Sequence, residues 1–225
     1  MIVKSTLLVS LYAQIIALVV GLFGIVIKLD VRDKILQQCL ILEEIVQVIE
    51  FSFYIFFSYF YKNDVDVIDI AKYRYYDWFL TTPTMIVSTI GFFEYNNTVN
   101  STKILNIYNF VLENLSIIGK LIIYNFFMLL MGYLKEYNIT TTVFTFVSGF
   151  LFFIGLFYTI WNKFARYSVK NYPVYFFMLV VWSIYGFAIL FKQTIKNSIY
   201  NILDIFSKNF YNIFLTYIIY TKRLQ

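Results

Sequence analysis

Histidine is absent from the chain. That removes His-ligated metal sites, serine–histidine–aspartate triads and any histidine proton shuttle. Cysteine occurs once, at Cys39, so no internal disulfide can form and zinc has no ligand set; no metal site is expected. Charge is scarce too. Asp, Glu, Lys and Arg make up 14% of residues, about half the ~25% usual in soluble proteins. The net charge of +5 is no nucleic-acid signal, because the basic residues are scattered between apolar runs, where they read as membrane-flanking anchors. No 20–50-residue repeat and no low-complexity tract interrupts the chain.

What fills the sequence is apolar. Of 225 residues, 60% are hydrophobic and 22% aromatic, with a mean hydropathy of +0.71. A bilayer core needs about 20 apolar residues per helix. Seven stretches qualify, near Ser5–Ile27, Leu36–Tyr61, Tyr73–Phe93, Leu112–Leu134, Thr141–Trp161, Pro173–Leu190 and Ile199–Ile219. Short polar links such as Lys28–Lys34, Glu94–Lys103 and Asn162–Asn171 separate them. The first stretch is too long and lacks the small-residue cleavage pattern of a signal peptide, so it reads as a retained helix. The expectation is an all-α membrane protein, a seven-transmembrane-helix bundle forming one domain over residues 1–225. Lys and Arg favour the side of Lys28, Arg32 and Lys34 by nine to six. This predicts an N-terminus outside and a cytoplasmic C-terminus. Sequons at Asn96, Asn100 and Asn138 are weak glycosylation candidates.

Charge inside a membrane span is costly and marks function by default. Helix three holds Arg74 and Asp77, helix seven Asp204 and Lys208, helix two Glu43, Glu44 and Glu50. Asp204 and Lys208 are four apart, and Arg74 and Asp77 three apart, so each pair shares a helix face. The bland reading is two buried salt bridges that hold the bundle together, but such pairs are poor stability devices. A mid-helix lysine beside carboxylates instead suggests a Schiff base, a protonated nitrogen that needs counter-ions. Glu43 and Glu50 are seven apart, two turns on nearly one face. Their bland reading is a solvated or headgroup-facing surface, which suits Glu43 and Glu44 better than the deeper Glu50.

The run Arg74-Tyr75-Tyr76-Asp77-Trp78-Phe79-Leu80-Thr81-Thr82-Pro83 resembles the third-helix signature of microbial rhodopsins, and Asp204-Ile205-Phe206-Ser207-Lys208 their seventh-helix retinal lysine motif. Trp182-Ser183-Ile184-Tyr185 resembles the sixth-helix aromatic set. Met128 to Glu136 resembles the fourth helix of the proteorhodopsin branch, and Tyr158-Thr159-Ile160-Trp161 the end of its fifth. The resemblance implies all-trans retinal bound covalently at Lys208. It makes Asp77 the primary counter-ion and first proton acceptor, Asp204 the second counter-ion, and Arg74 an extracellular group that responds to Asp77. Thr81, one turn from Asp77, is placed to hydrogen-bond it. Trp78, Thr82, Met85, Met128, Gly132, Gly149, Trp182 and Tyr185 would line the chromophore. With 26 Phe, 21 Tyr and 3 Trp in the chain, an aromatic means little without this register. Met85 stands where glutamine gives blue absorption in similar proteins, which implies a green-absorbing pigment.

Departures from the pattern matter. Gly186 replaces a common proline, so the sixth helix should kink less. The link before helix seven has Lys192 and Lys196 and no glutamate, so a paired-carboxylate release group is not expected. Ser88 occupies the cytoplasmic donor position, and serine cannot donate a proton at neutral pH. The triplet Asp77, Thr81, Ser88 resembles rhodopsins carried by large viruses of marine algae. Tyr54 matches a family tyrosine near the counter-ions, which turns the face with Glu43 and Glu50 inward and could bring Glu43 level with Ser88. The expected function is a light-driven outward proton pump, a transporter and not an enzyme, in a lipid bilayer and as a homo-oligomer, trimer or pentamer. No soluble or nucleic-acid partner is indicated. The alternatives are a light-gated cation or proton channel, since channelrhodopsins also carry spaced helix-two glutamates, and a photosensory rhodopsin. A halide pump would lack Asp77, and the Asn-Asp-Gln pattern of sodium pumps is absent.

Overall fold

The structure, a computed structural model, describes residues 2–62, 67–99, 101 and 103–224. Apolar segments in lipid must satisfy every backbone N–H and C=O internally, and a helix does so. Among the described residues all regular structure is helical: α1 (Ile2–Val26), α2 (Lys34–Lys62), α3 (Val67–Thr98), α4 (Ile107–Glu113), α5 (Leu115–Glu136), α6 (Thr142–Lys163), α7 (Tyr172–Ala188), α8 (Gln193–Asp204) and α9 (Tyr211–Arg223). A π-helical turn, Ile205–Phe210, joins α8 to α9. Asn114 joins α4 to α5 with non-helical angles (φ −113°, ψ 17°). The nine helices therefore make seven rods. The chain is a multi-pass all-α bundle.

Each of the seven expected stretches lies on one of these rods, but several ends move. α3 continues to Thr98, through half of the expected Glu94–Lys103 link. The fourth rod starts at Ile107, where the Asn106 side chain caps the first turn by accepting from Tyr108 N at 2.8 Å. The seventh starts at Gln193, so Lys196, placed by the sequence in a link, is helical. α7 runs unbroken past Gly186 to Ala188, with its proline at the first turn where no N–H is lost. By length and composition alone, four helical segments among the described residues qualify as membrane spans. α2 and α3 carry the buried charges, and the seventh rod is broken by its π turn.

The outer surface is apolar: Tyr12, Phe23, Leu151, Ile154 and Tyr217 are all more than half exposed. The inside is polar by comparison. Glu43, Glu44, Glu50, Arg74, Asp77, Asp204 and Lys208 are all buried. The solvated-face reading of Glu43 and Glu44 is thus corrected: both are buried, and α1 closes over Glu44 at Gly21. A Cβ on Gly21 would collide with the Glu44 carboxyl and Asn212, so the missing side chain is what lets α1 close on α2 and α9.

At the end of the bundle that carries the C-terminus, Asn171 joins two elements. It accepts from Asn96 Nδ2 and donates to Asn97 Oδ1, both at 2.9 Å, tying the end of α3 to the link before α7. The Asn96 amide, a sequon position, is thereby engaged. Asn138 closes α5 in the left-handed region (φ 56°), a conformation asparagine tolerates better than most residues. Asn100 lies outside the described residues.

Candidate functional site

The π turn places Lys208 at the centre of the bundle. Such turns add a residue to a helical rod and re-aim its side chains, often at functional sites. Lys208 Nζ donates to Asp77 Oδ2 at 3.0 Å and lies 3.4 Å from Glu50 Oε1 and 3.7 Å from Asp204 Oδ1. Sequence spacing linked Lys208 to two carboxylates; the fold brings a third, on α2, to the same nitrogen.

Toward the N-terminal end of the bundle, Arg74 continues the network. Its guanidinium meets Asp204 Oδ2 at 3.3 Å and Asn197 Oδ1 at 3.1 Å, and also donates to Asn201. It lies over the rings of Phe57 and Tyr54, 5.1 and 5.5 Å from their centroids, where a buried cation gains from the ring faces. Tyr54 and Tyr185 each donate to Asp204 at 2.6 Å. Tyr185, expected only as a pocket wall, therefore also holds a carboxylate. Thr81 hydrogen-bonds Asp77 through the main chain: its hydroxyl donates to the Asp77 carbonyl at 3.0 Å, because a threonine side chain in a helix reaches the carbonyl one turn back.

On the other side of Lys208, Glu43 sits beside Ser88 and Tyr211, as the register of α2 against α3 suggested. Ser88 donates to the Cys39 carbonyl at 3.3 Å, and the buried Cys39 thiol shares this compartment. Both Glu43 oxygens, both polar atoms of Gln47 and of Asn209, and Gln14 Oε1 have no hydrogen-bond partner among the described residues. Glu44 Oε1 accepts from Asn212 at 2.6 Å. Buried polar groups of this kind are normally satisfied by ordered water. The amides at 14, 47, 197, 201, 209 and 212 escaped sequence reading. A neutral amide barely dents hydropathy; their spacing on the same faces as the charges was the signal available.

A cavity opens from Lys208 between α3, α5, α6 and α7. Trp78, Thr82, Met85, Met128, Gly132, Gly149, Trp182 and Tyr185, the eight positions expected around a chromophore, line it together with Tyr75, Phe150, Tyr200 and others. It encloses about 800 Å³ of atom-free space, its open side included. Its walls are almost wholly apolar. Gly132 shapes one wall, since a Cβ there would come within 2.8 Å of the Tyr75 ring. Thr82, which accepts from Asn125 at 2.8 Å and donates to the Trp78 carbonyl at 2.7 Å, has both its polar needs met by the protein. A long apolar cleft with one amine at its end and carboxylates beyond that amine suits an apolar aldehyde such as retinal, held at Lys208.

A family model described as bacteriorhodopsin-like protein matches residues 5–222. Among solved structures, viral rhodopsin OLPVRII superposes with a TM-score of 0.84 at 24% identity, covering 99% of both chains. Blue light-absorbing proteorhodopsin from Med12 gives 0.73 at 16% identity, covering 99% of this chain and 98% of that one. Halorhodopsin, a light-driven chloride pump, gives 0.71 at 13%, covering 99% and 97%. These likenesses speak for the fold; the ion moved is left to the residues of the site. No curated protein matches the chain.

Proposed function

The chain belongs to the bacteriorhodopsin-like family, the microbial rhodopsins, and from that premise we propose that it is a light-driven outward proton pump. The observation that carries this reading is the 3.0 Å bond between Lys208 Nζ and Asp77 Oδ2, a proton donor already on its acceptor within hydrogen-bond reach. Retinal, which Lys208 would hold as a Schiff base, would supply the light absorption and the isomerisation that starts proton transfer. Asp77 takes the proton: the N–H bond breaks and an O–H bond forms on Oδ2. Arg74, held by Asp204, Asn197 and Asn201, sets a positive charge on the N-terminal side of Asp77 and favours the later break of the new O–H bond, with release of that proton toward the N-terminal side. The apolar cavity walls exclude water from the reaction. The proposed orientation is N-terminus outside and C-terminus cytoplasmic, as the Lys and Arg bias favours.

A light-gated cation channel is the second reading. The buried file of Gln14, Gln47, Asn209, Glu43, Glu44 and Asn212 favours it, since so many polar atoms without protein partners call for water along α1, α2 and the seventh rod. Voltage-clamp recording of the retinal-loaded full chain separates the two. Outward photocurrent persisting with no ion gradient and no applied voltage supports the pump. Photocurrent that reverses sign and follows the cation gradient overturns it in favour of the channel.

A further inference from the structure

The side chains around Lys208 do not balance in charge. Arg74 and Lys208 bring two positive charges, and Asp77, Glu50 and Asp204 bring three carboxyls, all of them buried. A net charge left without a partner in this setting is costly, so one of the three carboxyls holds a proton. The partners identify which. Asp204 accepts from Arg74 at 3.3 Å and from Tyr54 and Tyr185 at 2.6 Å each. Asp77 accepts the lysine's own bond at 3.0 Å. Glu50 Oε1 lies 3.4 Å from Nζ, yet neither Glu50 oxygen has a partner in hydrogen-bond geometry among the described residues. The charged groups facing it are Lys208 and Asp204 from the seventh rod and Asp77 from α3. Tyr54, one turn along α2, points its hydroxyl to Asp204.

Resting on the proton-transport reading above, we propose that Glu50 carries a proton in the dark and is the internal donor that returns one to the Lys208 nitrogen, the task Ser88 cannot perform. After Asp77 has taken the first proton, the nitrogen's lone pair accepts the second. The Glu50 O–H bond breaks, an N–H bond forms, and Glu50 is left as a carboxylate. It is refilled from the C-terminal side through Gln47 and Glu43, which follow on the same α2 face at spacings of three and four residues. Each cycle moves one proton out of the site and one in.

The test uses Glu50→Gln in the retinal-loaded chain. A neutral amide replacing a neutral acid leaves the dark absorption maximum where it was, whereas Asp77→Asn shifts it to the red. Infrared spectra of the dark state, with glutamate carbon labelled, lose one protonated-carboxyl C=O band in the variant. After a flash, recovery slows by at least about tenfold, and external azide restores it. A red shift, a retained C=O band or unchanged recovery each overturns the proposal. Where the variant gives no pigment, the same infrared band in labelled wild type decides. Its absence in the dark overturns the proposal; its loss and return within the photocycle support it. A wild-type pigment that pumps while Glu50 is ionised sinks this inference alone. A wild type that forms no pigment sinks the retinal reading with it.

Discussion

At the scale of single residues, two substitutions probe the centre directly. Lys208→Ala removes the buried amine that ends the apolar cleft, so protein made with retinal should show no visible, hydroxylamine-sensitive band by absorption spectroscopy. Asp77→Asn deletes the carboxylate bonded to Nζ at 3.0 Å. The pigment should absorb further to the red, and light should no longer acidify the medium of cells expressing it. Normal acidification would exclude Asp77 as acceptor. Lys208, Asp77, Arg74 and Asp204 could be read from sequence because a charge inside an apolar run stands out against its surroundings. Asn197 and Asn201, which hold Arg74 just as closely, could not, since an amide costs too little in lipid to look anomalous. Nor could Tyr75 and Tyr200 be told from the other tyrosines before the fold put them on the cavity wall.

Among the helices, the rods themselves were legible because about 20 mostly apolar residues mark a membrane-spanning helix, even where buried charges interrupt the run. Their junctions were not. The break at Asn114 and the π turn around Lys208 depend on local hydrogen bonding that periodicity does not encode. The ion pair between Glu136 on α5 and Lys196 on α8, buried on both sides, went unforeseen because the two lie 60 residues apart. Gln193 adds a bond to the same carboxyl at 2.9 Å. Removing one partner strands a buried charge, so Lys196→Met should destabilise by roughly 3–5 kcal/mol. Adding Glu136→Met to it should recover most of that loss. Thermal bleaching of the pigment measures both. Equal loss in single and double variants would mean that packing, not charge, is what these residues provide.

For the molecule as a whole, the useful distinction is between its apolar exterior and a buried polar file that runs through an otherwise apolar interior. The apolar exterior was plain in the composition; the continuity of the polar file from Arg74 to Glu44 was not, since it arises only when α1, α2, α3 and the seventh rod close together. Continuity has a kinetic consequence. With Glu43 passing protons along the C-terminal half, late photocycle decay should vary little with pH near neutrality, and Glu43→Gln should slow it. If bulk water served the site directly, decay would slow about tenfold per pH unit, because the rate would follow proton concentration. Flash photolysis of both proteins over a range of neutral pH, with and without azide, distinguishes these; identical decay in the two would remove Glu43 from the route. The same compartment contains its own reporter. Cys39 is the chain's one thiol, fully buried, and its carbonyl receives the Ser88 hydroxyl. Any S–H stretching band in the infrared spectrum therefore belongs to a single known place beside Glu43. Shifts in that band during illumination would track wetting of this half of the protein in real time, without a label or a substitution.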